Sequence, residues 1–244
     1  MSLPVFLSGS VAHASPGATV VLDGDEGRHA ATVKRIRVGE EIVLTDGAGA
    51  SATCAVTEAG KASLTVRVDQ VAYADRAAPH VTVVQAIPKG DRGELAVEML
   101  TEVDVDRIVP WAASRSVAVW RGERTAKSLA KWRATARAAA KQARRVWLPE
   151  VTDLATTADV VELIDRADVA VVLHEAADLP LADVSLEEAG SVLVVVGPEG
   201  GLSDDELDAF SAASVARLGT SVLRTSTAGV AAVAALLSRT SRWS

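Results

Sequence analysis

Three short segments place glycines or titratable side chains directly after apolar runs, where a small molecule could bind. Residues 197–201 (GPEGG) follow SVLVVV, Leu173-His174-Glu175 closes a second apolar run, and 218–225 (LGTSVLRT) precedes an alanine-rich segment. Glycines let backbone N–H and C=O groups approach a ligand closely. The three loops could hold one small molecule together. The alternative is that they are tight turns between strands and helices without a ligand.

The elements that must position these loops read as strands alternating with helices. We expect strands at 81–88, 107–111, 168–175, 191–198 and 216–219, and helices at 93–103, 123–145, 204–213 and 227–239. This alternation predicts an α/β domain with a mainly parallel sheet. Ligands of such sheets bind at the carboxyl ends of the strands, so the three loops are expected to lie near one edge.

Hydroxyl side chains mark the starts of two of these helices. Ser203-x-x-Glu206 is a capping-box pattern, and the helix N-terminus at Ser203 is expected to favour an anion. Thr225, Ser226 and Thr227 form a hydroxyl cluster, and we expect at least one of them to cap the last helix.

The N-terminal region has a different order of predicted elements, with several short strands and one helix. Short strands are predicted at 5–9, 18–24 and 40–49, two alternating runs surround Glu58–Lys61, and one helix is predicted at 26–36. Several short strands with one helix suggest a small β-barrel-like module. We therefore expect domains at 1–73 and 81–244, joined by a polar linker at 74–80.

Charge is distributed unevenly along the 244 residues. The hydrophobic fraction of 49% supports a folded core, and the net charge is −7. Residues 79–150 nevertheless carry a net charge of +5, and 115–145 contain ten basic residues and one acid. A polyanion responds to local potential rather than to total charge, so this basic strip suggests a nucleic-acid partner. A solvated helix face is the alternative.

Several function classes lack support in this sequence. It has no phosphate-binding loop, no G-x-G-x-x-G after a strand and no G-x-S-x-G elbow. A single cysteine, Cys54, excludes an internal disulfide and a cysteine-cluster metal site, and the four histidines are scattered. We expect no metal, no membrane span and no signal peptide, and hence a cytoplasmic protein.

Several segments resemble the RsmE-type ribosomal RNA methyltransferases of the SPOUT superfamily. The most specific are GPEGGLSDDE (197–206) and LGTSVLRTSTAGVAAVAAL (218–236). Other similar segments are RHAATVKRIRVGE (28–40), KGDRGELAVEMLTEVDVDRIVPWAASRS (89–116) and KWRATARAAAKQARRVWLPEV (131–151). The similarity covers almost the whole chain.

This resemblance implies a fold and an activity. The fold would be an α/β SPOUT domain with a trefoil knot and a mainly parallel sheet, preceded by an N-terminal PUA-like RNA-binding barrel. The cofactor would be S-adenosylmethionine (SAM), the protein a homodimer, and the partner 16S ribosomal RNA or the small ribosomal subunit. The implied reaction is methylation at N3 of one uridine.

The resemblance and the basic strip together assign candidate residues. The implied cofactor-binding residues are Leu173, His174, Glu175, Gly197, Pro198, Glu199, Gly200, Gly201, Leu218, Gly219, Leu223, Arg224, Thr225, Thr227 and Ala228. The expected RNA-binding residues are Arg28, His29, Arg35, Arg37, Lys89, Arg92, Arg115, Lys141, Arg144 and Arg145. Glu199 is the candidate base, and Arg224 or Arg145 would stabilise the uridine anion.

Three positions depart from the family pattern: Asp104 replaces a glycine, Thr220 a proline and Ser226 a glutamate. Two other functions remain possible at this point. A SPOUT ribose 2′-O-methyltransferase would carry a different segment before the last helix. A non-catalytic RNA-binding ribosome assembly factor would keep the fold without binding SAM.

Overall fold

The computed structural model describes residues 3–243, and the chain divides into two compact units. The N-terminal unit comprises the chain up to Arg76 together with Ala140–Leu148. The C-terminal unit comprises Ala77–Ala139 and the chain from Pro149 onward. Residues 140–148, which the sequence placed in the second domain, thus cluster with the first.

The N-terminal unit is built on one five-stranded sheet. Its strands are β1 (Val5–Leu7), β2 (Thr19–Leu22), β3 (Glu41–Thr45), β4 (Ala50–Ala59) and β5 (Leu64–Tyr73). They lie in the order β1-β3-β4-β5-β2, with β1 parallel to β3 and the other pairs antiparallel. The predicted hairpin around Glu58–Lys61 is confirmed as the β4–β5 connection.

A short helix α1 (Gly24–Arg28) continues into a π-helical turn (His29–Val33), where the sequence predicted one helix at 26–36. The predicted strand 5–9 ends at Leu7, because a 3₁₀ turn begins at Gly9. Phe6, Ile42 and Leu44 of the sheet are buried in the same apolar cluster as Ala30 of this helical segment.

The segment 140–148 packs into this unit through Trp147 and Leu148. The Trp147 indole N–H donates to the Ala74 carbonyl oxygen at 2.9 Å. Gly49 has a φ of 102°, and a Cβ there would lie 2.6 Å from the indole ring of Trp147. A side chain at position 49 would therefore displace the tryptophan.

The C-terminal unit is built on a seven-stranded sheet whose described neighbours all run parallel. Its strands are β6 (His80–Ala86), β7 (Arg107–Trp111), β8 (Glu150–Val151), β9 (Val169–Leu173), β10 (Leu179–Pro180), β11 (Ser191–Val196) and β12 (Ser214–Arg217). They lie in the order β10-β12-β9-β11-β6-β7-β8. The predicted parallel sheet is confirmed, with the strand predicted at 216–219 shifted to Ser214–Arg217.

Helices cover this sheet. They are α2 (Arg92–Glu102), α3 (Glu123–Gln142), α4 (Thr157–Arg166), α5 (Asp204–Ala209) and α6 (Thr225–Leu237). Trp132 of α3 is buried against α2 at Gly93, where a Cβ would lie 2.7 Å from the indole. Helix α3 was predicted to reach residue 145 but ends at Gln142, and Arg144 takes the left-handed φ of 58°.

The aspartate that replaces the family's glycine lies after α2. Asp104 has a φ of 69°, a left-handed conformation that glycine favours at helix ends. Its carboxylate accepts hydrogen bonds from Arg242 Nε at 3.0 Å and Nη2 at 2.8 Å. The Arg242 side chain is only 3% exposed and also pairs with Asp106 at 2.6 Å. This ion-pair network joins the segment that follows α6 to the segment between α2 and β7. The trefoil knot stays a prediction.

Candidate functional site

The loops after β9, β11 and β12 meet at the carboxyl edge of the parallel sheet. They surround a cavity of about 350 Å³, and the first residues of α2 and α6 complete its wall. Of the predicted cofactor-binding residues, the cavity is lined by Leu173, His174, Glu175, Gly197, Pro198, Glu199, Gly201, Leu218, Gly219, Leu223, Arg224, Thr225 and Ala228. The expectation that three loops distant in sequence form one site is supported by this arrangement.

Gly200 and Thr227 do not line the cavity. A Cβ on Gly200 would lie 2.9 Å from the carbonyl oxygen and 3.0 Å from the Cβ of Arg115. The missing side chain at position 200 therefore makes room for the loop after β7 rather than for a ligand. Thr227 lies in α6, and its N–H donates to the Arg224 carbonyl oxygen within the helix.

Six residues of the cavity wall were not predicted as cofactor contacts: Arg92, Val196, Leu202, Ala216, Ser221 and Val222. Val196 and Ala216 lie within predicted strands, where the apolar pattern cannot say which side chain faces a ligand. Arg92 was predicted to bind RNA instead. Its position directly before the helix predicted at 93–103, after the strand predicted at 81–88, was the available signal.

Glu199 connects the glycine-rich loop to the loop after β6. Its Oε1 accepts a hydrogen bond from the backbone N–H of Lys89 at 3.1 Å. Its Oε2 has no hydrogen-bond partner within residues 3–243. One carboxylate oxygen is thus used to hold two loops together, while the other is available to a ligand in the cavity.

Glu206 holds the glycine-rich loop from the other side. It is only 3% exposed, and its Oε1 accepts from the backbone N–H of Ser114 at 2.7 Å. Its Oε2 accepts from the N–H of Ser203 at 2.9 Å, and the Ser203 hydroxyl accepts from the Glu206 N–H, so the predicted capping box is confirmed. The capping box thus satisfies the N–H groups of Ser203 and Glu206 at the start of this helix, while the anion expected there stays a prediction.

Arg115 adds a further link between the same loops. Its Nη1 donates to the Leu202 carbonyl oxygen at 2.8 Å. Arg115 was predicted to contact RNA, but the structure gives it a role in fixing the loop that follows the cavity glycines.

Two cations line the cavity wall. Arg92 is half-buried and Arg224 is exposed, and neither forms an ion pair with a carboxylate of the described chain. Arg224 occupies the N-cap position of α6 without a side-chain cap, whereas Thr225 and Ser226 are buried in the first turn. The predicted hydroxyl cap of this helix is therefore wrong. The Ser226 hydroxyl has no partner among the residues described.

His174 stabilises the turn that follows β9. Its Nδ1 accepts a hydrogen bond from the backbone N–H of Ala176 at 3.1 Å. This contact fixes the ring at the cavity wall and gives the histidine a structural task.

The predicted RNA-binding residues of the N-terminal unit have different environments. Lys141 donates to both oxygens of Glu26, at 2.7 and 2.9 Å, with side chains only 19% and 17% exposed. Arg145 is 8% exposed and does not line the cavity. Lys141 therefore already has a carboxylate partner within the protein, and the structure does not bring Arg145 to the cavity.

Other predicted RNA contacts of this unit are accessible. The His29 ring packs edge-on against Phe6, with centroids 6.2 Å apart, and is half-buried. Arg28 lies 3.7 Å from the exposed Asp25. The remaining predicted contacts in this unit are exposed: Arg35, Arg37 and Arg144.

The described part of the chain contains no cluster of three or more histidine, cysteine or carboxylate side chains that could hold a metal ion. None of its helices is both long and apolar enough to cross a bilayer.

Two family models match the chain. One, described as an RNA methyltransferase domain, matches residues 76–237, and another, described as an RNA methyltransferase PUA domain, matches residues 22–69. The first covers the parallel sheet and its helices, and the second covers most of the N-terminal sheet.

Proteins named ribosomal RNA small subunit methyltransferase E are similar over most of the chain. The Mycobacterium bovis protein is 48% identical over 234 residues, which cover 93% of this chain and 89% of the relative. The Bacillus subtilis protein is 28% identical, covering 89% of each chain.

Solved methyltransferase structures are similar to this chain over almost its whole length. A ribosomal RNA small subunit methyltransferase E from Neisseria gonorrhoeae bound to SAM has a TM-score of 0.84 and 28% identity, covering 97% of this chain and 98% of that one. A Legionella pneumophila methyltransferase with bound SAM has a TM-score of 0.87 and 26% identity, covering 98% of each chain.

Proposed function

We propose that this chain methylates RNA of the small ribosomal subunit with SAM. It belongs to the ribosomal RNA small subunit methyltransferase E family. The finer proposal, from the resemblance of its motifs, is N3 of one uridine in 16S ribosomal RNA. The observation that carries the proposal is the cavity at the carboxyl edge of the sheet, where three predicted cofactor loops meet.

The cavity suits SAM in size and lining. Its volume of about 350 Å³ lies within the range usual for small-molecule sites. Leu173, Val196 and Leu218 supply apolar surface for an adenine ring. The carboxylate of Glu175 complements a ligand that carries positive charge on its sulfur and amino groups.

Methyl transfer from SAM does not require a covalent bond between the protein and the substrate. When bound, SAM supplies a methyl group on a positively charged sulfur, which is a good leaving group. Positioning and electrostatics therefore dominate the barrier. The protein must hold the uracil unpaired, because its N3 lies on the Watson–Crick edge. It must also accept the N3 proton as the N3–carbon bond forms, and stabilise the negative charge of the ring.

Cavity residues can supply both functions. The free Oε2 of Glu199 is the base that we propose for the N3 proton, since Oε1 is held by Lys89. Arg92 and Arg224 line the same wall and can stabilise the uracil anion. Arg145 lies in the N-terminal unit and has no role in this proposal.

The proposal includes a homodimer that acts in the cytoplasm, where ribosomal RNA is found. Val222 and Leu223 line the cavity yet are 77% and 38% exposed. A second copy of the chain that covered these apolar side chains would complete the rim of the site. Sedimentation of the wild type and of Val222→Asp tests this: we expect a dimer that the substitution weakens.

The reaction is tested with SAM and 16S ribosomal RNA or small subunits as substrates. We expect one methyl group per RNA, recovered as N3-methyluridine after nuclease digestion, chromatography and mass spectrometry. A 2′-O-methyl nucleoside would identify a ribose methyltransferase instead. Absence of both product and SAM binding would leave a non-catalytic assembly factor.

The residue roles are tested with Glu199→Gln, Arg92→Met and Arg224→Met. We expect each to lower kcat more than it changes SAM affinity, because each acts on the uracil. Arg166→Met is the matched control, since Arg166 is exposed and paired with Glu162 on α4, outside the cavity wall.

A further inference from the structure

We propose that the outward face of α3 binds the phosphate backbone of the substrate RNA through a row of arginine and lysine side chains. This α3 cation row consists of Arg121, which precedes the helix, and Arg124, Lys127 and Arg137 within it. The inference rests on the proposed function, because it assigns the surface that holds the RNA. None of these four residues was among the RNA contacts predicted from the sequence.

The basic strip at 115–145 separates into two classes once the contacts are known. Five of its ten cations are bonded within the protein or buried: Arg115, Lys131, Arg133, Lys141 and Arg145. The cation-row side chains are exposed and have no carboxylate within 4.0 Å in the part of the chain described. Arg144 is also exposed, at the end of the strip. The cation row and Arg144 can therefore bind a polyanion without first breaking an ion pair within the protein.

Helix stability does not account for the cation row. Arg121 and Arg124 flank the first residue of α3, where the helix dipole is positive. Cations at this end destabilise a helix by a few tenths of a kcal/mol each. The first turn has a single acidic residue, Glu123. Positive charge concentrated here is disfavoured in the free protein and would be neutralised by bound phosphates.

The helix is well placed to act as a rigid support. Leu129, Trp132 and Ala136 of its inner face are buried in the core of the C-terminal unit. Arg124 and Arg137 are thirteen positions apart, which corresponds to roughly 20 Å along a helix. The row is therefore long enough to contact several phosphates of one RNA segment.

Small side chains separate the cations on the outward face. The exposed alanines of α3 are Ala126, Ala130, Ala134 and Ala138. Alanine leaves space for a bulky sugar–phosphate chain to approach the helix. These alanines expose little apolar area, and the larger apolar side chains of the helix are buried. This favours RNA over a lipid surface, which would need an exposed apolar face.

The test neutralises two cations of the row and compares a matched pair elsewhere. Arg124→Ala with Lys127→Ala keeps good helix formers in α3. Arg133→Ala with Arg166→Ala removes the same charge from exposed side chains that are ion-paired to Asp153 and Glu162. Binding of in vitro transcribed 16S ribosomal RNA is measured from 0.05 to 0.3 M salt, together with SAM affinity and the unfolding midpoint.

We expect the cation-row variant to bind RNA roughly 25- to 60-fold more weakly at 0.1 M salt, with the log–log salt slope reduced by about 1.4–1.8. The control pair should match the wild type. SAM affinity should be unchanged in both. The unfolding midpoint should be unchanged in the cation-row variant and slightly lower in the control pair, because Arg133 also donates to the Val151 carbonyl oxygen at 3.0 Å.

Other results overturn the inference in distinguishable ways. If the wild type methylates and binds the RNA while the cation-row variant does so equally well, the α3 surface is a solvated face and the proposed function stands. Equal weakening in both pairs would show a response to net charge alone. If the wild type neither binds nor methylates the RNA, the proposed function fails together with this inference.

Discussion

The carboxylate of Glu206 accepts a hydrogen bond from the backbone N–H of Ser114 at 2.7 Å, although the two residues are 92 positions apart in the sequence. Through its second oxygen, which accepts from Ser203, it joins the loop after β7 to the end of the glycine-rich loop. The cavity wall at 197–202 is thus held by a side chain that does not itself line the cavity. Glu206 is a positioning residue, and its removal should affect the ligand indirectly.

Replacing Glu206 with alanine should therefore weaken both folding and cofactor binding. It leaves two backbone donors without their carboxylate, and we expect a loss of about 2–4 kcal/mol in the free energy of unfolding. SAM affinity by calorimetry should fall, and Glu206→Gln should recover part of both effects because its carbonyl oxygen can still accept one bond. Asp205→Ala is the control, since Asp205 is an exposed acid of the same first turn. An equal effect of both alanine variants would contradict the positioning role.

Two glycines of the cavity loops should respond differently to alanine. In Gly200→Ala the new methyl group meets backbone atoms of Arg115 at 2.9 Å, so we expect an unfolding free energy lower by about 1–3 kcal/mol. In Gly219→Ala no atom lies within 4 Å of the added Cβ, so stability should be retained. Any loss of SAM affinity at position 219 then reports direct approach of the ligand. Chemical denaturation and calorimetry of both variants separate the two cases.

The ion pair between Lys141 and Glu26 should contribute to stability rather than to RNA contact. Lys141→Ala leaves the poorly exposed Glu26 carboxylate without its cation, and we expect a loss of about 1–3 kcal/mol in the free energy of unfolding. The double variant with Glu26→Ala should lose less than the sum of the two single changes. A Lys141→Ala protein of wild-type stability with a reduced salt slope for RNA would restore the contact role predicted from the sequence.

The thiol of Cys54 should make folding sensitive to alkaline pH. Burial of the thiol, and to a smaller extent the negative charge of the nearby Asp69, together raise the pKa of Cys54 from its ordinary value of 9.0 to about 11. A raised folded-state pKa gives stability that is complete below pH 9 and is lost as pH rises from 9 to 11, because only the unfolded chain releases the proton. The difference between wild type and Cys54→Ala in denaturation at pH 8 and pH 10.5 isolates this effect. A pH-independent difference would contradict it.

The sequence was sufficient to predict the parallel sheet and most of the cavity wall. Apolar runs ending in Gly197 and Leu173 needed only the rule that parallel strands share their carboxyl edge. The sequence could not show that Gly200 faces Arg115. A glycine that makes room for a neighbouring loop cannot be distinguished by residue type from one that makes room for a ligand.

Charge was the least informative signal at the level of single residues. Lys141 and Lys127 are indistinguishable in a count of basic residues, yet one is paired with Glu26 and the other is exposed. Such pairing depends on residues distant in sequence, which a local pattern does not contain. The sequence did not predict that residues 140–148 belong to the N-terminal unit, for the same reason.

The cavity wall draws its residues from Arg92 to Ala228, which span most of the C-terminal unit. No short fragment of the chain contains the loops after β9, β11 and β12 together with the start of α2. Such contacts between distant residues form late and make folding slow, because the intervening chain must first be ordered. A ligand can therefore bind this cavity only after the whole C-terminal unit has folded, so ligand binding reports that folding is complete. A nascent chain that ends before α6 has the glycine-rich loop but lacks a wall of the site.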